Sequence, residues 1–111
     1  MKLMNEPILD KNDSLYICID LQTKLLPAMD NLDNLIKKSN ILLKTSEIYD
    51  IPLLVTEQYP KGLGSTDERI ILPKHHKLFS KTHFSVFASE DFVHEFNSLN
   101  KKNIIVFGAE T

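Results

Sequence analysis

The chain has 111 residues, 42% hydrophobic and 25% charged, the balance of one globular domain with a single core. Its net charge of −2 lacks the basic excess of a dedicated nucleic-acid binder, so no nucleic-acid partner is expected. No apolar run is long enough to cross a membrane, so no membrane partner is expected. Residues 1–13 carry acids and no continuous apolar stretch, against a secretory signal. The one cysteine, Cys18, cannot form an internal disulfide, and a reducing cytoplasm is the expected location.

In chain order, short apolar runs alternate with helical periods. Leu15, Tyr16, Ile17, Cys18 and Ile19 form a strand that ends at Asp20. A helix follows over about 31–49, with Leu32, Leu35, Ile36, Leu42, Leu43 and Tyr49 on its apolar stripe. Ser39 and Ser46 share that stripe, where small side chains let a helix approach a sheet closely. Asp30 is the expected cap, and Pro52 the expected stop. Residues 51–56 form the second strand, roughly thirty residues after the first, the length of a βαβ unit. A turn-rich loop covers 58–65, and Leu78-Phe79 marks a short third strand. Ser89 opens a second helix, with Phe92, Val93, Phe96 and Leu99 on its apolar face and Lys101 and Lys102 at its end. A fourth strand covers 103–107 and ends at Gly108.

This alternation predicts an α/β fold, a mostly parallel sheet of about four strands with helices packed on it. In such sheets, ligands bind at the carboxyl ends of the strands. That rule selects Asp20, Glu57-Gln58, Lys81 and Glu110-Thr111, and all four places carry polar or ionisable residues. Asp20 is read either as a turn or helix-cap aspartate or as a carboxylate acting at the ligand edge. Asp20-Leu21-Gln22-Thr23 departs from the phosphatase pattern Asp-x-Asp-x-Thr, because Gln22 cannot transfer a proton. The acid pattern of a receiver domain is absent too. Lys81 is read either as a solvated lysine or, given Phe79, Phe84, Val86 and Phe87 around it, as a lysine held among apolar groups beside Asp20.

Cys18 lies mid-strand on the same expected face as Asp20, and burial there makes a thiol inert. His75, His76, His83 and His94 lack metal-ligand spacing, so no metal is expected. Gly62-Leu63-Gly64 lacks the GxxxxGK(S/T) cradle, and no GxGxxG follows the first strand, so no cofactor is expected. Phe84, Phe87, Phe92 and Phe96 read as core, since no basic residues interleave them.

Four segments, in order, resemble the isochorismatase-like hydrolases. They are Tyr16-Ile-Cys-Ile-Asp20-Leu-Gln22, Val55-Thr-Glu57-Gln58-Tyr-Pro60-Lys-Gly62-Leu-Gly64, Lys81-Thr-His-Phe-Ser85-Val-Phe87 and Ile105-Val-Phe-Gly108-Ala-Glu110-Thr111. The nearest subgroup has the Thr-Glu-Gln-Tyr-Pro-x-Gly-Leu-Gly loop of the isochorismatase domain-containing proteins. The resemblance implies a three-layer α/β/α sandwich and an Asp-Lys-Cys triad acting on a small amide- or ester-like substrate. Asp20 matches the general base, Lys81 the lysine, and Gln22 a structural glutamine. Gln58 falls in the pocket, and Ala109, Glu110 and Thr111 in the oxyanion region.

The family's nucleophile follows a Gly-x-Glu-Thr/Ala-x-x-Cys segment, which begins here at Gly108. That spacing puts the thiol about three residues past Thr111. The expectation is therefore a single domain, residues 1–111, cut before its nucleophile turn and inactive alone, with one side of strand four left to pair. Some family members carry zinc after strand two; Glu57-Gln58-Tyr59 offers no histidine for it. The family often has a cis peptide at the position of Ala109–Glu110. A homo-oligomer is expected. The alternative reading is a naturally short, non-catalytic relative that binds a ligand or a protein and completes its sheet by oligomerisation.

Overall fold

A computed structural model describes residues 11–81 and 90–109. Four strands form one parallel sheet: β1 (Ser14–Ile19), β2 (Leu53–Gln58), β3 (Lys77–Lys81) and β4 (Asn103–Gly108), in the order β3-β2-β1-β4. Helix α1 (Leu32–Tyr49) joins β1 to β2, the short α2 (Pro60–Leu63) follows β2, and α3 (Glu90–Leu99) precedes β4. The predicted α/β sandwich is present. Leu32, Leu35, Ile36, Leu42 and Leu43 of α1 pack on Tyr16, Cys18, Leu53 and Val55, one face of the sheet. Phe92, Phe96 and Leu99 of α3 pack on Leu15, Ile17 and Leu54, the other face. Phe92 lies edge-on to Phe79, with ring centroids 5.5 Å apart, and stacks on Phe96. Phe84 and Phe87 lie outside the described residues, as do Ser89 and His83.

Three local expectations shift. Asp30 does not cap α1; the helix starts from Asn31, in the left-handed region with φ 54° and no side-chain cap bond. A capping side chain works from extended backbone, which Asn31 does not have. Helix α1 ends at Asp50 (φ 55°), two residues before Pro52, with the N–H groups of Asp50 and Ile51 both donating to Ser46 O. Strand β2 runs from Leu53 to Gln58 rather than over 51–56, because Gln58 still pairs with Lys81. Ser39 and Ser46 are buried as expected for a close helix–sheet contact. Gly108 (φ 138°) brings β4 against β1, where a Cβ would overlap the Ile19 carbonyl.

Candidate active site

The carboxyl ends of β1, β2 and β3 converge on a buried polar cluster. Asp20 follows β1 with φ 55°, which ends the strand's regular alternation. Its N–H donates to Thr56 O (3.1 Å), tying the turn to β2. Its carboxylate accepts from Lys81 Nζ at Oδ2 (2.9 Å) and from Thr56 Oγ1 at Oδ1 (2.8 Å). Asp20, Thr56 and Lys81 are all buried. Sixty-one positions separate Asp20 from Lys81 in sequence, and the sheet order joins them: β1 beside β2, β2 beside β3. A buried ion pair gives little net stability, since desolvation offsets most of the attraction, but losing one partner is costly.

Cys18 and Asp20 do not share a face. Cys18 packs with Tyr16 and Val55 beneath α1. The left-handed turn at Asp20 instead swings its carboxylate to Thr56 and Lys81, which continue the α3-side positions Leu54 and Phe79. Burial, followed by the Asp20 charge, pushes the Cys18 thiol up to about 12. At neutral pH it is a protonated core residue.

Gln22 is fully buried and holds the loop that follows β2. Its Nε2 donates to Gln58 O (3.0 Å) and Gly64 O (2.7 Å), and its Oε1 accepts from Gln58 N (2.7 Å). Glu57 Oε2 accepts from the N–H and hydroxyl of Thr66 (2.7 and 2.9 Å). Arg69 binds the Asp67 carboxyl and holds it below the usual carboxylate range, while Asp67 N–H donates to Leu21 O. Tyr59 N–H donates to Lys81 O (2.8 Å), so the same loop reaches the lysine. These contacts fix residues 58–67 over the end of β1.

Gln58 is half-buried, its backbone N–H and C=O both engaged by Gln22. Ala109 is buried, and its N–H donates to Ile19 O (2.9 Å). That bond engages the Ala109 N–H with the end of β1. Glu110, Thr111 and the Ala109–Glu110 peptide lie outside the described residues. A cavity of about 290 Å³ opens beside the ends of β1 and β4, lined by Ile19, Val106, Phe107 and Gly108.

Among the described residues no three His, Cys, Asp or Glu side chains gather as metal ligands. His75 is spent on structure: Nε2 lies 2.8 Å from Ile51 O and 3.0 Å from Ser46 Oγ. Also among the described residues, no helix is long and apolar enough to cross a membrane. Nothing in the sequence singles out Thr56, a β-branched residue inside an apolar run; its place at the strand end, before Glu57, is the available signal.

A family model for the isochorismatase domain matches residues 14–111. The chain belongs to the isochorismatase family. Isochorismatase domain-containing protein 1 of Danio rerio is 35% identical over 98 residues, 88% of this chain and 35% of that protein. Isochorismatase family protein 1A of Dictyostelium discoideum is 32% identical over 93% of this chain and 52% of its own length. Among solved structures, MAR1 ribonuclease from Caenorhabditis elegans superposes with a TM-score of 0.81 at 30% identity, covering 90% of this chain and 52% of that one. YcaC from Escherichia coli, described as an octameric hydrolase of unknown specificity, superposes at 0.74 with 22% identity, over 94% of this chain and 54% of its own, a likeness of fold. The chain thus spans about a third to a half of the relatives it matches.

Proposed function

We propose that this chain supplies the general base and its lysine partner to a thiol hydrolase acting on a small amide- or ester-like substrate. The observation that carries the reading is the buried Asp20–Lys81 pair, set where strands of a parallel sheet end. Asp20 takes the proton of a cysteine thiol, and the thiolate attacks the substrate carbon. The Lys81 ammonium orients the carboxylate and offsets its charge. Cys18 is not that thiol, because its protonated state and mid-strand burial make it inert. The nucleophile comes from outside residues 1–111, at the turn following β4, where backbone N–H groups beyond Ala109 hold the oxyanion. Gln58 and the fixed loop line the substrate side.

Residues 1–111 alone are then inactive as a hydrolase. No cofactor enters the reaction, a reducing cytoplasm suits a free thiol, and assembly as a homo-oligomer belongs to the same reading. The test is electrophile labelling, read by mass spectrometry, of a polypeptide extended through the turn after β4. The expected label sits on a cysteine beyond residue 111 and is lost in Asp20→Ala. A label that survives Asp20→Ala, or that falls on Cys18, overturns the reading. Running the same protein against RNA tests a nucleic-acid substrate, the property named for the nematode relative.

A further inference from the structure

The two oxygens of Asp20 are held differently, and the difference assigns them different work. Oδ2 faces the Lys81 ammonium at 2.9 Å, and Oδ1 faces the Thr56 hydroxyl at 2.8 Å. An ammonium has donors only, and a proton on Oδ2 would turn that oxygen into a hydroxyl, a much poorer acceptor for Lys81, and weaken the pair. A hydroxyl is both donor and acceptor, and it can turn to accept from a protonated Oδ1. We propose that Thr56 is a positioning residue for Asp20 and that Oδ1, not Oδ2, is the oxygen that receives the thiol proton.

The step balances. The S–H bond breaks and its electron pair stays on sulfur as the thiolate. A lone pair of Oδ1 forms the new O–H bond, leaving Asp20 neutral. Lys81 remains an ammonium, still donating to Oδ2, now the carbonyl oxygen. Thr56 is suited to the part because its own placement is fixed. It is fully buried in β2, paired with Phe79 across the sheet, and its carbonyl holds the Asp20 N–H. Asp20 is therefore fastened to Thr56 through both its backbone N–H and its carboxylate, and the carboxylate cannot rotate without losing a bond.

The inference rests on the proposed thiol chemistry for its purpose, but not for its measurement. Infrared spectra of this chain, with the Asp20 bands isolated by subtracting Asp20→Asn, read the carboxyl directly. At neutral pH, Thr56→Val is expected to change the splitting of the Asp20 carboxylate stretches, and Thr56→Ser to restore it. On acidification, the protonated Asp20 carbonyl band is expected low, as for a carbonyl bonded to an ammonium. It should rise in Lys81→Met and stay in place in Thr56→Val. An unchanged neutral-pH splitting in Thr56→Val overturns the positioning role. A carbonyl band that rises in Thr56→Val and not in Lys81→Met puts the proton on Oδ2 and overturns the assignment. Failure of thiol labelling to depend on Asp20 would sink the hydrolase reading and leave these spectra standing.

Discussion

Polar groups are buried where β1, β2 and β3 end, and apolar groups are exposed along β4. At the first place Asp20, Gln22, Thr56, Glu57 and Lys81 are all buried, each with a hydrogen-bond partner. At the second, Ile104 and Val106 are 41% and 54% exposed on the same face as Leu15 and Ile17. Hydropathy alone would place these two sets the other way round. The contrast separates what forms a strand from what surrounds it. An apolar run makes β4 a strand whether or not its outer flank is covered. The buried cluster persists against its desolvation cost because every member has a partner.

The largest expected effect breaks one partnership in the cluster. Lys81→Ala leaves the Asp20 carboxylate buried without its cation, and urea unfolding should show a loss of about 3–5 kcal/mol. Gln22→Ala removes three hydrogen bonds to the loop while its fold-bearing neighbours stay; we expect a loss of roughly 2–3 kcal/mol. Amide exchange at Gln58, whose N–H donates to Gln22, should accelerate in the same variant.

Cys18 sharpens the contrast through pH. Its thiol titrates near 12 in the folded chain and near 8.5 unfolded, so its contribution is complete below about pH 8.5 and is lost as pH rises through about 12. Above pH 8.5, wild type should lose stability relative to Cys18→Val by about 1.4 kcal/mol per pH unit, read from urea midpoints. A gap that does not change with pH would show that the thiol is not held protonated. The smallest effect belongs to the flank of β4: Ile104→Thr, on an exposed position, should change the stability of this chain by no more than about 0.5 kcal/mol. A much larger loss would mean that this flank is covered.

Much of this layout is written locally in the chain. Leu15 to Ile19 and Ile104 to Phe107 read as strands because their runs of β-formers have no helical period. Asp20 and Lys81 stand out because each is ionisable and follows such a run, and the strand-end rule joins residues far apart in sequence. Thr56 escaped because threonine is an ordinary strand former, and only its hydrogen bond distinguishes it. The left-handed turn at Asp20 was equally illegible. An aspartate tolerates that conformation without requiring it, so the face its carboxylate takes is set by Thr56 and Lys81, not by strand alternation. The start of α1 at Asn31 and the reach of β2 to Gln58 depend likewise on partners elsewhere in the chain.

Asp20 and Lys81 form one buried, charge-paired unit. A double-mutant cycle in urea, with Asp20→Leu, Lys81→Met and the two together, tests it most directly. Each single change is expected to be severe, and the double variant to unfold near the wild-type midpoint. Losses that simply add would mean that the two side chains are not coupled, and would contradict it.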